Sequence, residues 1–223
     1  MAEFYLVRHG QASLGSNNYD QLSPMGVEQA EILGRHFAQR GITFDELFTG
    51  TQLRHQQTAD GILKGIDLDL PTTRVDGLNE YDFESLTAAY IEQSAALKGK
   101  GEIDKKAAYQ LLKPALLAWC QNQLQGELEE NWDNFIARVN NALGTIQQSS
   151  SRRILVVSSG GPISAITHQV LQAPANMAIE LNLQIRNTSF SQFFFNSENT
   201  RLASFNNLAH LEHPDHQHMI TYA

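Results

Sequence analysis

Three short polar clusters in this chain have the composition of an anion-handling site. The first is Arg8-His9-Gly10, the second Ser158-Ser159-Gly160-Gly161, and the third Arg54 with Thr49 and Thr51 a few residues before it. Arginine presents a planar fork of N–H donors that matches a phosphate edge. Glycine turns that open helices aim backbone N–H groups at an anion. A histidine held among guanidinium groups is biased toward the neutral ring, because their charge disfavours imidazolium. A neutral imidazole facing a clamped phosphate is a nucleophile beside an electrophile. By itself the tripeptide Arg-His-Gly carries little information, with a chance expectation of roughly two per cent in a chain of this length. A lone histidine at a strand end is more often a satisfied polar residue. Context therefore decides.

The elements around these clusters supply that context. Phe4 to Val7 is a dense apolar run that reads as a buried strand ending at Arg8. A polar, turn-rich loop from Gln11 to Gln21 follows. Ser23-Pro24 has the form of an N-cap with proline in the first turn, Val27, Ala30, Leu33 and Phe37 continue at helical spacing, and Gly41 closes the helix. Phe44 to Phe48 predicts a second strand. Thr49-Gly50-Thr51 predicts a turn that caps a helix carrying Leu53, Arg54, Thr58 and Ala59. Thr72 to Val75 predicts a third strand, leading to Gly77-Leu78-Asn79-Glu80.

From about Leu86 to Gln148 the pattern is helical and broken at Gly99 to Glu102, which predicts two or three helices forming a cap or insertion over the site. Trp119 and Trp132 lie in it as packing or cap residues. Ile154 to Val157 predicts another buried strand, then the glycine turn and a helix begun by Pro162. Phe190 to Phe195, read as strand core, and Leu202 to Phe205 predict late strands joined by a hairpin turn at Asn196 to Asn199. The alternation argues for an α/β fold, a three-layer sandwich with a mostly parallel central sheet flanked by helices plus the helical insertion. The 223 residues form one domain on this reading. Ligands in such sheets bind beyond the carboxyl ends of the strands, where all three clusters fall.

Composition narrows the partners. The formal net charge of −8 disfavours nucleic acid and anionic membrane, while a local cluster of arginines still suits a small phosphorylated substrate. Cys120 is the single cysteine, so no intrachain disulfide forms and a reducing compartment is indicated. With no leader-like N-terminus and no apolar run of membrane length, a cytoplasmic location is expected. No signal points to an oligomeric state.

Taken together, the motifs resemble those of the histidine phosphatase (phosphoglycerate mutase-like) superfamily. Leu6-Val7-Arg8-His9-Gly10 is similar to its signature. Leu22-Ser23-Pro24-Met25-Gly26 with Gln29-Ala30 resembles its following helix start, and Thr51-Gln52-Leu53-Arg54 with Gln57-Thr58-Ala59 its second arginine motif. Leu78-Asn79-Glu80 and Asn187-Thr188-Ser189 resemble its later segments, so the likeness runs from residue 4 to about residue 211. The resemblance implies that His9 accepts the phosphoryl group and that Arg8 and Arg54 hold its oxygens. It implies that Glu80 protonates the leaving oxygen and then activates water, with no metal and no cofactor. Asp82 and Glu84 are neighbours able to take the part of Glu80.

Two departures bear on activity. The family usually has a second histidine in a Ser-His-Gly-Gly run, and Ser159 stands there, able to donate one hydrogen bond but without positive charge, so the expectation is a slower site or the use of other donors such as the Gly160 and Gly161 amides. Loss of one such donor typically costs about 10²–10³ in rate. The family's mutases carry serine or threonine three residues past the histidine and asparagine six past it, where this chain has Ala12 and Gly15; Ser13, Asn17 and Asn18 are shifted substitutes. After the acid they carry arginine and Tyr-Gly, where this chain has Tyr81-Asp82-Phe83-Glu84. These favour a phosphatase. The alternatives are a phospholigand-binding protein with weak turnover and, third, a mutase. Ser159 as a serine-hydrolase nucleophile is disfavoured, since Val157 stands where an elbow needs glycine. His210, His213, His216 and His218 read as a surface tail rather than a metal site.

Overall fold

The structure is a computed structural model that describes residues 2–13, 20–94, 105–126 and 128–222, with the side chains of 105–109 excepted. Its sheet has six strands in the order β3-β2-β4-β1-β5-β6. These are β1 (Ala2–Arg8), β2 (Glu46–Thr49), β3 (Thr72–Arg74), β4 (Arg153–Ser158), β5 (Phe190–Phe195) and β6 (Thr200–Asn207). β1 pairs in parallel with β4, β4 with β2 and β2 with β3, whereas β5 and β6 join antiparallel. β1 and β4 are covered on both faces, which is why they appear as unbroken apolar runs.

The helices are α1 (Pro24–Gln39), α2 (Leu53–Ile66), α3 (Phe83–Gln93), α4 (Lys105–Cys120), α5 (Trp132–Gln147), α6 (Gly160–Val170) and α7 (Ala175–Asn182). Alternation along β1 sends Tyr5 and Val7 into one apolar layer with Leu33 and Phe37 of α1 and Ala59 and Ile62 of α2. Phe4 and Leu6 go to the other layer, with Val139 and Ile146 of α5, Ile163 and Ile166 of α6 and Ala178 and Ile179 of α7. This is the expected three-layer α/β arrangement.

Local chemistry explains the element ends. The Ser23 Oγ accepts from the Gly26 N–H, with Pro24 in the first turn of α1. That helix stops at Gln39, and Gly41 takes φ +64°, the left-handed region in which a Cβ is strained. Phe44 precedes the second strand rather than opening it. Thr49 is the last residue of β2, and Gln52 occupies the N-cap of α2 without a side-chain cap bond, so the threonines do not cap that helix. Instead the Leu53 N–H donates to Asp20 Oδ2 at 2.8 Å. The helix after β4 begins at Gly160, two residues ahead of Pro162, with Ser159 at its N-cap. In β5 burial alternates, so Phe193 and Phe195 are core while Phe190 and Phe194 are only partly covered.

The helical stretch contains α3, α4 and α5; its expected break at Gly99 to Glu102 lies outside the described residues. α3 packs on α4, α4 on α7, and α5 on α6. Trp119 and Trp132 are both buried, with ring centroids 5.1 Å apart, packed with Phe135. No helix among the described residues is long and apolar enough to cross a membrane.

Candidate active site

The carboxyl ends of β1, β4 and β2 lie side by side, with Arg8 opposite Ser158 and Val157 opposite Thr49. His9, Ser159 and Gly50, each one residue beyond its strand, therefore meet at one edge of the sheet. His9 donates its N–H to Ser158 O at 2.9 Å, and Gly50 donates to Val157 O at 3.1 Å.

The loop after β1 is fixed from several sides. The Gly10 N–H donates to Thr58 Oγ1 at 3.0 Å, and that hydroxyl donates to Arg54 O at 2.7 Å. Gln11 N–H donates to Gln29 Oε1 at 2.8 Å, and the Asn187 amide donates to His9 O at 3.0 Å. Gly10 and Gly26 touch backbone to backbone; a Cβ on Gly10 would lie 2.4 Å from Gly26 O. The polar residues of the resembling motifs thus tie the loop to α1, α2 and the segment before β5. Of the shifted substitutes, Ser13 pairs its N–H with Gln21 O, and Asn17 and Asn18 lie outside the described residues, as does Gly15.

His9 is only 4% exposed. Its Nδ1 lies 2.7 Å from Gly10 O, a pure acceptor, so Nδ1 carries the proton and Nε2 the lone pair. Burial holds this imidazole's pKa well below the usual range, aided by the charges of Arg54 and Arg8 and by His55. The ring is thus neutral at neutral pH, with a lone pair on Nε2.

Arg54, in the first turn of α2, is 5% exposed; it donates to Asp20 Oδ1 at 2.8 Å and to Gln52 Oε1 at 2.9 Å. Arg8 donates through Nη1 to Ile185 O. Glu80 follows the 3-10 turn Asp76–Leu78. Its Oε1 and Oε2 accept from the Gly161 N–H at 3.1 and 3.3 Å, at the start of α6. Burial raises its pKa above the usual glutamate value, against the lowering pull of Arg54, the Gly161 N–H and Arg8. Arg138 of α5 braces the segment before Glu80, donating to Gly77 O at 3.2 Å and Asn79 O at 2.8 Å.

Among the three neighbouring carboxylates, only Glu80 is placed with the arginines. Asp82 caps α3, its Oδ1 accepting from the N–H groups of Glu84 and Ser85, and Glu84 is exposed. The Gly161 amide, one of the donors expected for phosphate, is engaged by Glu80. Gly160 opens α6 close to Asn182. Ser159 is fully buried, and its Oγ lies 2.7 Å from His55 Nε2.

His55 is the residue that sequence reasoning passes over. It is fully buried, and its ring centroid lies 5.7 Å from that of His9. Its position directly after Arg54 was the available signal. The C-terminal histidines are not a uniform tail: His210 is buried with Nε2 3.0 Å from Thr188 Oγ1, and burial drives its pKa down to about 3. Among the described residues no group of three or more histidine, cysteine or carboxylate side chains is arranged to hold a metal ion.

Comparison with known proteins places this arrangement. Residues 4–208 match the model of the histidine phosphatase superfamily (branch 1). A 2,3-bisphosphoglycerate-dependent phosphoglycerate mutase of Methylobacterium sp. (strain 4-46) is 33% identical over 105 residues, 44% of this chain and 50% of that protein. The chain spans about half the length of the curated relatives it matches. A phosphoglycerate mutase structure from Bacillus anthracis superposes with TM-score 0.67 at 19% identity, covering 94% of each chain. A phosphoserine phosphatase structure from Entamoeba histolytica superposes with TM-score 0.65 at 21% identity, covering 95% of this chain and all of that one (100%). Those solved structures share the fold, and with the family match spanning strands, arginines and glycine turn alike, the chain belongs to the histidine phosphatase superfamily, branch 1.

Proposed function

We propose that this protein is a phosphatase that hydrolyses a small phosphate monoester through a phosphohistidine on His9. The observation that carries the reading is one cluster: a buried, neutral His9 with its lone pair on Nε2, buried Arg54 and half-buried Arg8 beside it, and a half-buried carboxyl at Glu80 whose pKa is raised. His9 Nε2 attacks phosphorus and the ester P–O bond breaks. The departing oxygen takes the proton of Glu80. The Glu80 carboxylate then removes a proton from water, whose oxygen attacks phosphorus, breaking the P–N bond and releasing phosphate. Arg8, Arg54, Ser159 and the Gly160 amide are the proposed holders of the phosphoryl oxygens. Two guanidinium groups supply charge stabilisation without a metal.

Ser159 stands in this proposal where the family's second histidine acts. We read the whole chain as one domain. Within the stretch at about 86–148, α3 and α4 are the proposed cap, while α5 joins the helical layer on the sheet. Hydrolysis is favoured over mutase transfer because the positions after the acid are spent on structure: Tyr81 is buried with its hydroxyl accepting from Asn182, and Asp82 is a helix cap. A cytoplasmic location accompanies the reading.

The test is a rapid quench after brief exposure to labelled aryl phosphate. An acid-labile, base-stable label on His9, absent in His9→Ala, is expected. Turnover that survives in His9→Ala, or label on a serine, defeats the mechanism. Transfer of label to phosphoglycerate in preference to water identifies a mutase, and tight phosphate binding without turnover a binding protein.

A further inference from the structure

Ser159 occupies the N-cap of α6, yet its side chain makes no cap hydrogen bond. The N-caps Ser23 and Asn131 both bond to their helices. The Ser159 hydroxyl instead meets His55 Nε2 at 2.7 Å, with both residues fully buried. His55 pairs one ring nitrogen only: its Nδ1 has no partner among the described residues. Buried N–H groups without a partner are rarer than buried lone pairs without one, so the ring proton belongs on Nε2. His55 then donates to Ser159 Oγ, and the Ser159 proton is left for an acceptor elsewhere.

Two further contacts show that room is made for this ring. A Cβ on Gly50 would lie 2.1 Å from His55 Nδ1 and 2.7 Å from Asn79 Oδ1. The next residue back in the chain is Arg54, and the His9 ring is 5.7 Å away centroid to centroid. The imidazole thus reaches from α2 to the side of His9 and Arg54, the proposed phosphate-facing groups.

We propose that His55 is a positioning residue for phosphoryl transfer: its Nε2–H holds the Ser159 hydroxyl so that the O–H is presented to a phosphoryl oxygen, the two side chains acting as one donor. The inference rests on the phosphohistidine reading above. Donation by His55 also polarises the serine O–H, since chained hydrogen bonds strengthen one another. Burial and Arg54 keep the imidazole pKa well below its usual range, so the neutral Nε2–H form is the resting state.

The test compares hydrolysis of p-nitrophenyl phosphate by wild type, Ser159→Ala, His55→Phe, His55→Gln and the double variant His55→Phe/Ser159→Ala, with Tm measured for each. Ser159→Ala should lower kcat/KM about tenfold to a hundredfold, the worth of one hydrogen bond to a charged group. His55→Phe, which keeps a ring, should cause most of that loss, and the double variant should be no worse than Ser159→Ala. His55→Gln, which keeps an N–H at a similar reach, should recover much of it. Wild-type kinetics in His55→Phe, losses that multiply in the double variant, or no recovery with glutamine overturns the proposal. If His55→Phe does not fold, nitrogen-15 spectra of the wild-type imidazole decide. The Nε2–H tautomer, with a response to inorganic phosphate that vanishes in Ser159→Ala, supports the pair; an Nδ1–H tautomer or no response overturns it. A wild type that neither turns over aryl phosphate nor labels at His9 removes the parent reading instead, and the phosphate titration still judges the pair.

Discussion

Replacing Glu80 with glutamine should move activity and stability in opposite directions. The introduced amide keeps the side-chain volume and an oxygen able to accept from the Gly161 N–H, 3.1 Å from Oε1 in the native site. It cannot deliver a proton. General acid catalysis contributes about 10²–10⁴-fold, so an alkyl phosphate, whose alkoxide leaves badly, should lose roughly that factor in kcat/KM. An aryl phosphate should lose about tenfold or less, because its leaving group needs little protonation. On the proposed mechanism native kcat/KM should be bell-shaped: His9 has to be deprotonated, and its lowered pKa places the acid limb below the usual imidazole range. Glu80 must be protonated, and its raised pKa sets the alkaline limb. The variant should lose that alkaline limb with the aryl substrate; the substrate's own ionisation is common to both proteins and cancels in their ratio. Stability follows from the same shift. A carboxyl whose folded pKa lies above its unfolded value gives stability that is complete below the unfolded pKa and is lost as pH rises through the folded one. The variant should therefore match native Tm in acid and exceed it at neutral pH. Equal losses with both substrate classes, or a Tm difference that does not change with pH, would refute the reasoning.

Three further outcomes follow from contacts around the site. Gly161→Ala brings a Cβ to 2.2 Å from Glu80 Oε1 and 2.5 Å from Tyr81 Cε1, so alkyl phosphate hydrolysis should fall while His9 labelling by an aryl phosphate persists. Gly26→Ala places a Cβ 2.2 Å from Gln11 O, where both partners are backbone; calorimetry should show a loss of about 1–3 kcal/mol. Arg138→Met releases the carbonyls of Gly77 and Asn79, and kcat for alkyl phosphates should drop several-fold, with inorganic phosphate affinity by titration unchanged.

Some parts of this molecule are legible in the chain because one physical cause dominates. β1 and β4 are buried on both faces, so their apolar runs are continuous, and Ser23-Pro24 announces α1 by capping chemistry alone. α7 has no such mark: it spans only Ala175–Asn182 and buries just Ala178 and Ile179, too few to form a periodic stripe. The start of α2 misleads because its N–H donor is served by Asp20, from another loop, rather than by a threonine next to it. Glu80 can be proposed from its motif, but its preference over Asp82 needs the three-dimensional fact that Asp82 is occupied by α3. His55 escapes notice for a related reason. Its partner Ser159 is 104 residues away, and a histidine in the first turn of a helix has no sequence mark of burial.

The division of β1 between two apolar layers has a consequence for how such a fold can diversify. The layer under α1 and α2 supports Arg54 and His55, which face the phosphoryl group in the proposed mechanism. The layer on the other face, with α5 and α6, supports Glu80 through Arg138 and the Gly161 N–H. Arg54 and Glu80, the proposed anion holder and proton donor, are thus anchored in different packing layers on the two faces of the sheet, joined at the site by the Ser159–His55 contact. Drift around Arg138 can retune which alcohol departs in the proposed mechanism while Arg54 keeps its seat on the opposite face. A lineage built this way can explore new esters by altering part of its interior, with His9, the proposed nucleophile, just beyond the end of the strand between the two layers.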